Sequence, residues 1–157
     1  MSHKGVRTLI EDVSKSLGDD IQFTYARPSD FNNLRDKRYP FIALDPLFSV
    51  PAFTVNNAAN YVKRWSVAMA FYQIDDESSD QTQYAKILDE MDTFVDKFIN
   101  KLNLWTLEKP DLDEIEIVIT GISQQPFIKA TADILTGYTL SFTLETPDTF
   151  NYCDIVC

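Results

Sequence analysis

A chain of 157 residues with 45% hydrophobic and 13% aromatic content carries enough apolar side chain to close one core, which excludes a disordered polymer and fits one domain over residues 1–157. Its formal charge of −10, from 24 acidic against 14 basic residues, excludes a general nucleic-acid-binding surface, because neutralising phosphates takes clustered lysine and arginine. No stretch approaches the roughly 20 apolar residues of a membrane span, and Met1 to Val6 lacks the apolar core of a secretion signal, so the sequence reads as that of a protein made and used in solution.

Val6, Leu9, Ile10, Val13 and Leu17 fall at helical spacing over Lys4 to Leu17, and Gly18 follows where a left-handed cap is wanted. After the turn at Asp19-Asp20, Ile21, Phe23 and Tyr25 alternate with polar residues as a half-buried strand. Arg27 to Tyr39 breaks the pattern. Arg35, Lys37 and Arg38 make it a locally basic loop, either plainly solvated or a binding element. Phe41 to Leu44 reads as a buried strand running into Asp45-Pro46.

The next stretch is apolar yet interrupted. Phe48, Val50, Phe53 and Val55 would bury well, but Pro46 and Pro51 deny the segment regular pairing along its length. An edge position or an arm over residues 46–60 is expected, and because soluble monomers avoid large exposed apolar patches, a neighbouring subunit is its natural cover. Tyr61 to Ile74 is the longest strand candidate, with Trp65, Val67, Met69 and Phe71 on one face and Ser66, Ala68 and Ala70 on the other. Small residues on that second face let another element approach closely.

From Ser78 to Leu102, Tyr84, Ile87, Leu88, Met91, Phe94, Val95, Phe98, Ile99 and Leu102 step by three and four, placing one apolar stripe on a long helix. Ser78 with Gln81 reads as its capping box. Asn103 to Asp113 is expected to be a connector, with Trp105 and Leu107 covering the end of the core. Ile115, Ile117 and Ile119 alternate as a strand, and Gly121 to Lys129, containing Pro126, forms a bulge or a bend. Tyr138, Leu140, Phe142 and Leu144 give the cleanest period-two run, with Pro147-Asp148 expected to stop it and residues 147–157 left as a tail. The element order implies an α+β fold, a mainly antiparallel sheet with two helices packed on one face.

Catalytic chemistry finds no footing in the residues. His3 is the single histidine and lies near the N-terminus, leaving a nucleophilic triad without a base. Cys153 and Cys157 lack the second pair that a tetrahedral zinc site needs, and a disulfide between them would constrain little, so reduced thiols are the expected state. Four glycines, none in a phosphate-cradling loop, remove nucleotide motifs. Asp75, Asp76, Glu77 and Asp80 lack the spacing of a calcium loop and suit a helix N-terminus instead. No enzyme, cofactor or metal is expected.

The closing run Gly137-Tyr138-Thr139-Leu140-Ser141-Phe142-Thr143-Leu144-Glu145-Thr146-Pro147, followed by Phe150-Asn151-Tyr152-Cys153, resembles the C-terminal end of small phage tail-completion and neck proteins. There a last long strand ends at proline and a short aromatic tail ends near cysteine. The element order resembles the tail terminator family of compact α/β subunits. The likeness is specific over Leu135 to Cys153 and architectural over Val6 to Ile119; the arm from Leu47 to Asn60 departs from it. The resemblance implies a virion protein assembled in the host cytoplasm as a homo-oligomeric ring, six-fold or twelve-fold, between adjacent neck or tail proteins, with DNA passing through unbound. The expected subunit interface comprises Phe48, Val50, Phe53 and Val55, the basic Arg35, Lys37 and Arg38, and Phe150 and Tyr152 of the tail. A reading from another class is a small-molecule or peptide-binding module using a groove beside Trp65 and Trp105.

Overall fold

The computed structural model describes residues 3–25, 40–53, 60–75, 78, 80–108, 118–130 and 135–149. The order along the chain is α1 (His3–Lys15), β1 (Gln22–Tyr25), β2 (Phe41–Leu44), β3 (Phe48–Phe53), β4 (Asn60–Ile74), α2 (Gln81–Glu108), β5 (Val118–Ala130) and β6 (Leu135–Thr149). The fold is α+β. One mixed sheet runs β1-β2-β4-β6-β5, with β3 also paired to β4. β1 and β2 are parallel, joined through residues 26–40, a connection long enough for the crossover that parallel pairing demands. The other pairings are antiparallel.

Alternation on β4 sorts the sheet into a bulky and a small face, as its sequence implies. Trp65, Val67, Met69 and Phe71 are buried, and lie in register with Leu144, Phe142, Leu140 and Tyr138 of β6. Both helices close over this face. Val6, Leu9, Ile10 and Val13 of α1 and Met91, Val95, Phe98 and Leu102 of α2 join these strand residues in one cluster. On the opposite face a smaller cluster forms from Phe41, Ala43, Tyr72 and Leu135, with the Phe41 and Tyr72 rings stacked at 5.6 Å. The rest of that face is small and exposed, with Ser66, Ala68, Thr139 and Ser141 in neighbouring rows.

α2 starts later and ends later than its pattern indicated. Its cap is Asp80 and not Ser78: the Gln83 amide donates to Asp80 Oδ1 at 3.1 Å, so Asp80 and Gln83 occupy the cap and N3 positions expected of Ser78 and Gln81. Asp80→Ala should therefore cost about 1 kcal/mol, read as a lower urea midpoint by circular dichroism. At the other end the helix runs through the expected connector to Glu108, because the sequence offers no breaker before Pro110. Trp105 continues the packing there, partly buried against the core. α1 likewise departs at its end. It closes through Ser16 N to Asp12 O at 3.1 Å and Leu17 N to Ser14 O at 3.2 Å, while the described glycine with positive φ is Gly121, at 63°, rather than Gly18.

Three strands correct the sequence expectation. β3 pairs with β4 without a break from Phe48↔Ser66 to Phe53↔Tyr61, Pro51 included. Pro51 is tolerated because β3 has a neighbour on one side only among the described residues, and an edge strand leaves half its amides outside the ladder. Pro46 falls in the gap between β2 and β3, where the Asp45 amide still reaches Ala68 O at 2.9 Å. β5 continues from Val118 through Ala130, so Gly121 to Lys129 is strand containing a bulge: the register with β6 shifts between Thr120 and Ser123. Ile115 and Ile117 lie outside the described residues. β6 does not stop at Pro147 but pairs with β4 as far as Asn60↔Thr149. Its pairing with β5 ends at Val118↔Glu145, so beyond that point β6 is flanked, among the described residues, by β4 alone, and a proline there is tolerated as on an edge.

Candidate interaction surfaces

Of the expected interface residues, Phe48, Val50 and Phe53 lie on β3. Val55, Arg35, Lys37, Arg38, Phe150 and Tyr152 lie outside the described residues. β3 belongs to its own subunit's sheet through β4, which narrows the arm to a strand with, among the described residues, one open edge. Around it the sheet thins to a ribbon of β3, β4 and β6 that runs past the helix-covered core. Two side-chain contacts tie the base of this ribbon. Trp65 Nε1 donates to Thr146 Oγ1 at 2.9 Å, buried. Next to it, Arg64 Nε meets Glu145 Oε1 at 2.9 Å in the open, an exposed pair worth no more than about 1 kcal/mol.

The two lateral edges of the sheet differ in kind. At one, β1 carries α1 above it: His3 Nε2 and Tyr25 Oη are 3.0 Å apart, Arg7 Cζ stands 5.4 Å from the Tyr25 ring centroid, and Tyr25 Oη accepts the Leu47 amide at 3.0 Å. At the other edge lies β5, with α2 above it. Asp92 Oδ1 accepts from Gln124 Nε2 at 2.7 Å, and Ile122 and Ile128 are 49% and 47% exposed. Val118 to Ile128 contains no charged side chain. The sequence reading missed this edge, whose signal was that unbroken neutrality, since exposed edge strands are ordinarily guarded by charge.

The two tryptophans do not share a groove. Trp65 is buried, its ring 6.1 Å from that of His3 near the start of α1. Trp105 instead lines a shallow groove of about 330 Å³ between the later part of α1 and α2, with Leu9, Asp12, Val13, Ser16, Lys101 and Leu104. Its one cation is committed: Lys101 Nζ donates to Ser16 O at 2.7 Å. Among the described residues, no three histidine, cysteine or acidic side chains are placed to hold a metal ion, and no helix is long and apolar enough to cross a membrane.

Tyr138 sits beneath α2 on the β5 side. Burial, reinforced by the negative charges of Asp92 and Asp89, raises its phenol pKa above the ordinary value. The folded state therefore favours the neutral phenol. That preference is intact below the unfolded pKa of about 10 and is lost as pH rises through the higher folded value. Tyr138→Phe should accordingly lessen the fall in urea midpoint between about pH 9 and about pH 11, while the midpoint at neutral pH moves little.

In comparisons with known proteins, the chain matches no family model and no curated sequence.

Proposed function

We propose that this chain is a structural virion subunit that assembles head to tail into a ring of the phage neck or tail, as a tail terminator or head-tail connector ring. The observation that carries the reading is the pair of unlike open edges on one sheet, β1 with β3 on one side and β5 on the other. A closed ring is built from heterologous contacts, in which each subunit offers two different patches. The resemblance of the β6 region and its aromatic continuation to tail-completion and neck proteins supplies the setting, and a ring of six or twelve copies follows from it. The acidic balance suits a channel that lets DNA slide without gripping it, since like charges offer no phosphate anchor.

The α1–α2 groove favours a second reading, a module for a small apolar molecule or peptide. Exposed Leu104 and the Trp105 ring provide an apolar wall there. The groove is shallow and its lysine is already engaged, which ranks this reading below the ring. Sedimentation velocity and negative-stain imaging of the purified chain separate the two. Annular particles of one size are expected; a chain that stays monomeric at every attainable concentration, alone and with neck or tail proteins, overturns the ring.

A further inference from the structure

The two lateral edges carry patches of opposite charge: the start of α1 is positive, although Asp19 and Asp20 stand exposed at the other end of the β1 edge, and the α2 flank beside β5 is negative. On α1, Lys4 and Arg7 lie one turn apart on the flank turned to β1, since Arg7 stands over Tyr25. The acid further along that flank, Glu11, is already met by Lys15 Nζ at 2.7 Å, which leaves the start of the helix positive. Across the sheet, Asp89, Asp92 and Asp96 follow one another at helical spacing on α2. Asp92 fixes this stripe on the β5 flank through Gln124, and Asp89 and Asp96 are exposed. Of the bases flanking the stripe, Lys86 lies one turn before Asp89 and Lys97 is turned over the Phe94 ring at 5.8 Å. Below the acidic stripe lies the uncharged β5 edge with Ile122 and Ile128.

A neutral edge strand with exposed isoleucines invites contact with another chain, and because Pro126 and the register shifts of β5 interrupt a continuous ladder, side chains carry that contact. Charge complementarity selects the occupant: the surface opposite in sign, on the opposite side of the same sheet, belongs to a second copy. We infer that the β5–α2 edge of one copy docks against the β1–α1 edge of the next, with Asp89 and Asp96 facing Lys4 and Arg7 while Ile122 and Ile128 are covered. This rests on the ring reading and specifies its contact. Because each copy keeps one patch of each sign on opposite edges, the contact repeats in one sense and propagates as a ring requires.

The test uses two charge-reversed forms of the full chain. Asp89→Lys with Asp96→Lys makes both edges positive; Lys4→Glu with Arg7→Glu makes both negative and also suits the helix dipole at the start of α1. The expected result is that each form alone self-associates at least about tenfold more weakly than wild type, and that an equimolar mixture reassembles. The first form is especially informative. It lowers the net negative charge, −10 in the wild type, by two units per replacement, so general repulsion predicts stronger association and only a local contact predicts weaker. If wild type assembles and either reversed form assembles equally well, or if the mixture fails to restore what each form lost, this contact is wrong and the ring reading stands. If wild type never assembles, the ring reading falls and the contact with it. Circular dichroism checks folding. Should a reversed form unfold, Ile122→Ser with Ile128→Ser, both exposed, replaces it; unchanged assembly by that folded variant overturns the contact.

Discussion

The Gly137→Ala variant is expected to lose more than about 4 kcal/mol of stability, most of a domain's margin, and to show no cooperative urea transition. Gly137 is buried near the start of β6, in register with Tyr72 of β4 on one side and Phe127 of β5 on the other. A Cβ there would stand 1.9 Å from the Phe71 carbonyl oxygen and 2.7 Å from the Tyr72 Cα. Both are backbone atoms of the central strand, so no side chain can swing away to make room. Relief requires β4 and β6 to separate, and their pairing runs unbroken from Asn60↔Thr149 to Ile74↔Leu135. A variant that melts like wild type would show that the strands do not approach so closely.

Phe98→Ala should cost about 3–5 kcal/mol. The ring is 0% exposed and lies at the meeting point of α2 with two strands: Phe71 of β4 is edge-on at 5.6 Å and Phe142 of β6 is tilted at 6.3 Å. Truncation removes the transfer energy of the ring, its aromatic contacts and the support of two neighbours held by regular strands that cannot collapse into the space. Phe94, on the same stripe, is only partly buried, so Phe94→Ala should cost clearly less. Chemical denaturation of the two variants side by side gives the ordering, and equal losses would place the axis of α2 packing elsewhere.

Local periodicity made most of the core legible. Met91, Val95, Phe98 and Leu102 repeat at helical intervals and Trp65, Val67, Met69 and Phe71 at strand intervals, and each set is buried where its period implies. Trp105 continues the series from Phe98 and Leu102, so the longer helix was also written there. The cap was harder: Ser78 with Gln81 and Asp80 with Gln83 are overlapping boxes of the same form, and local pattern does not rank them. Pro51 sits on a strand at an edge of the described sheet, as its presence implied, whereas the proline rule misled at Pro147 because it depends on whether a strand has one neighbour or two. That is a matter of sheet order, which no local spacing encodes. The same gap hid the paired edges. Lys4 and Arg7 are far in sequence from Asp89 and Asp96, and only the placement of β1 and β5 at opposite sides of the sheet makes them complementary.

The position of β6 has a consequence for how the chain acquires its shape. β6 is the last of the described strands in sequence, yet it lies between β4 and β5 and, among the described strands, alone joins β5 to the rest of the sheet. As the chain emerges from the ribosome, β4 and α2 are made long before the strand that completes the surface they share. Closing the β4–β6 ladder brings together residues as far apart in sequence as Asn60 and Thr149, an entropic cost that makes such topologies slow to form. The sheet should therefore wait for β6 to be made, and until it arrives the neutral β5 segment lacks its β6 partner, a state in which nascent chains are prone to aggregate.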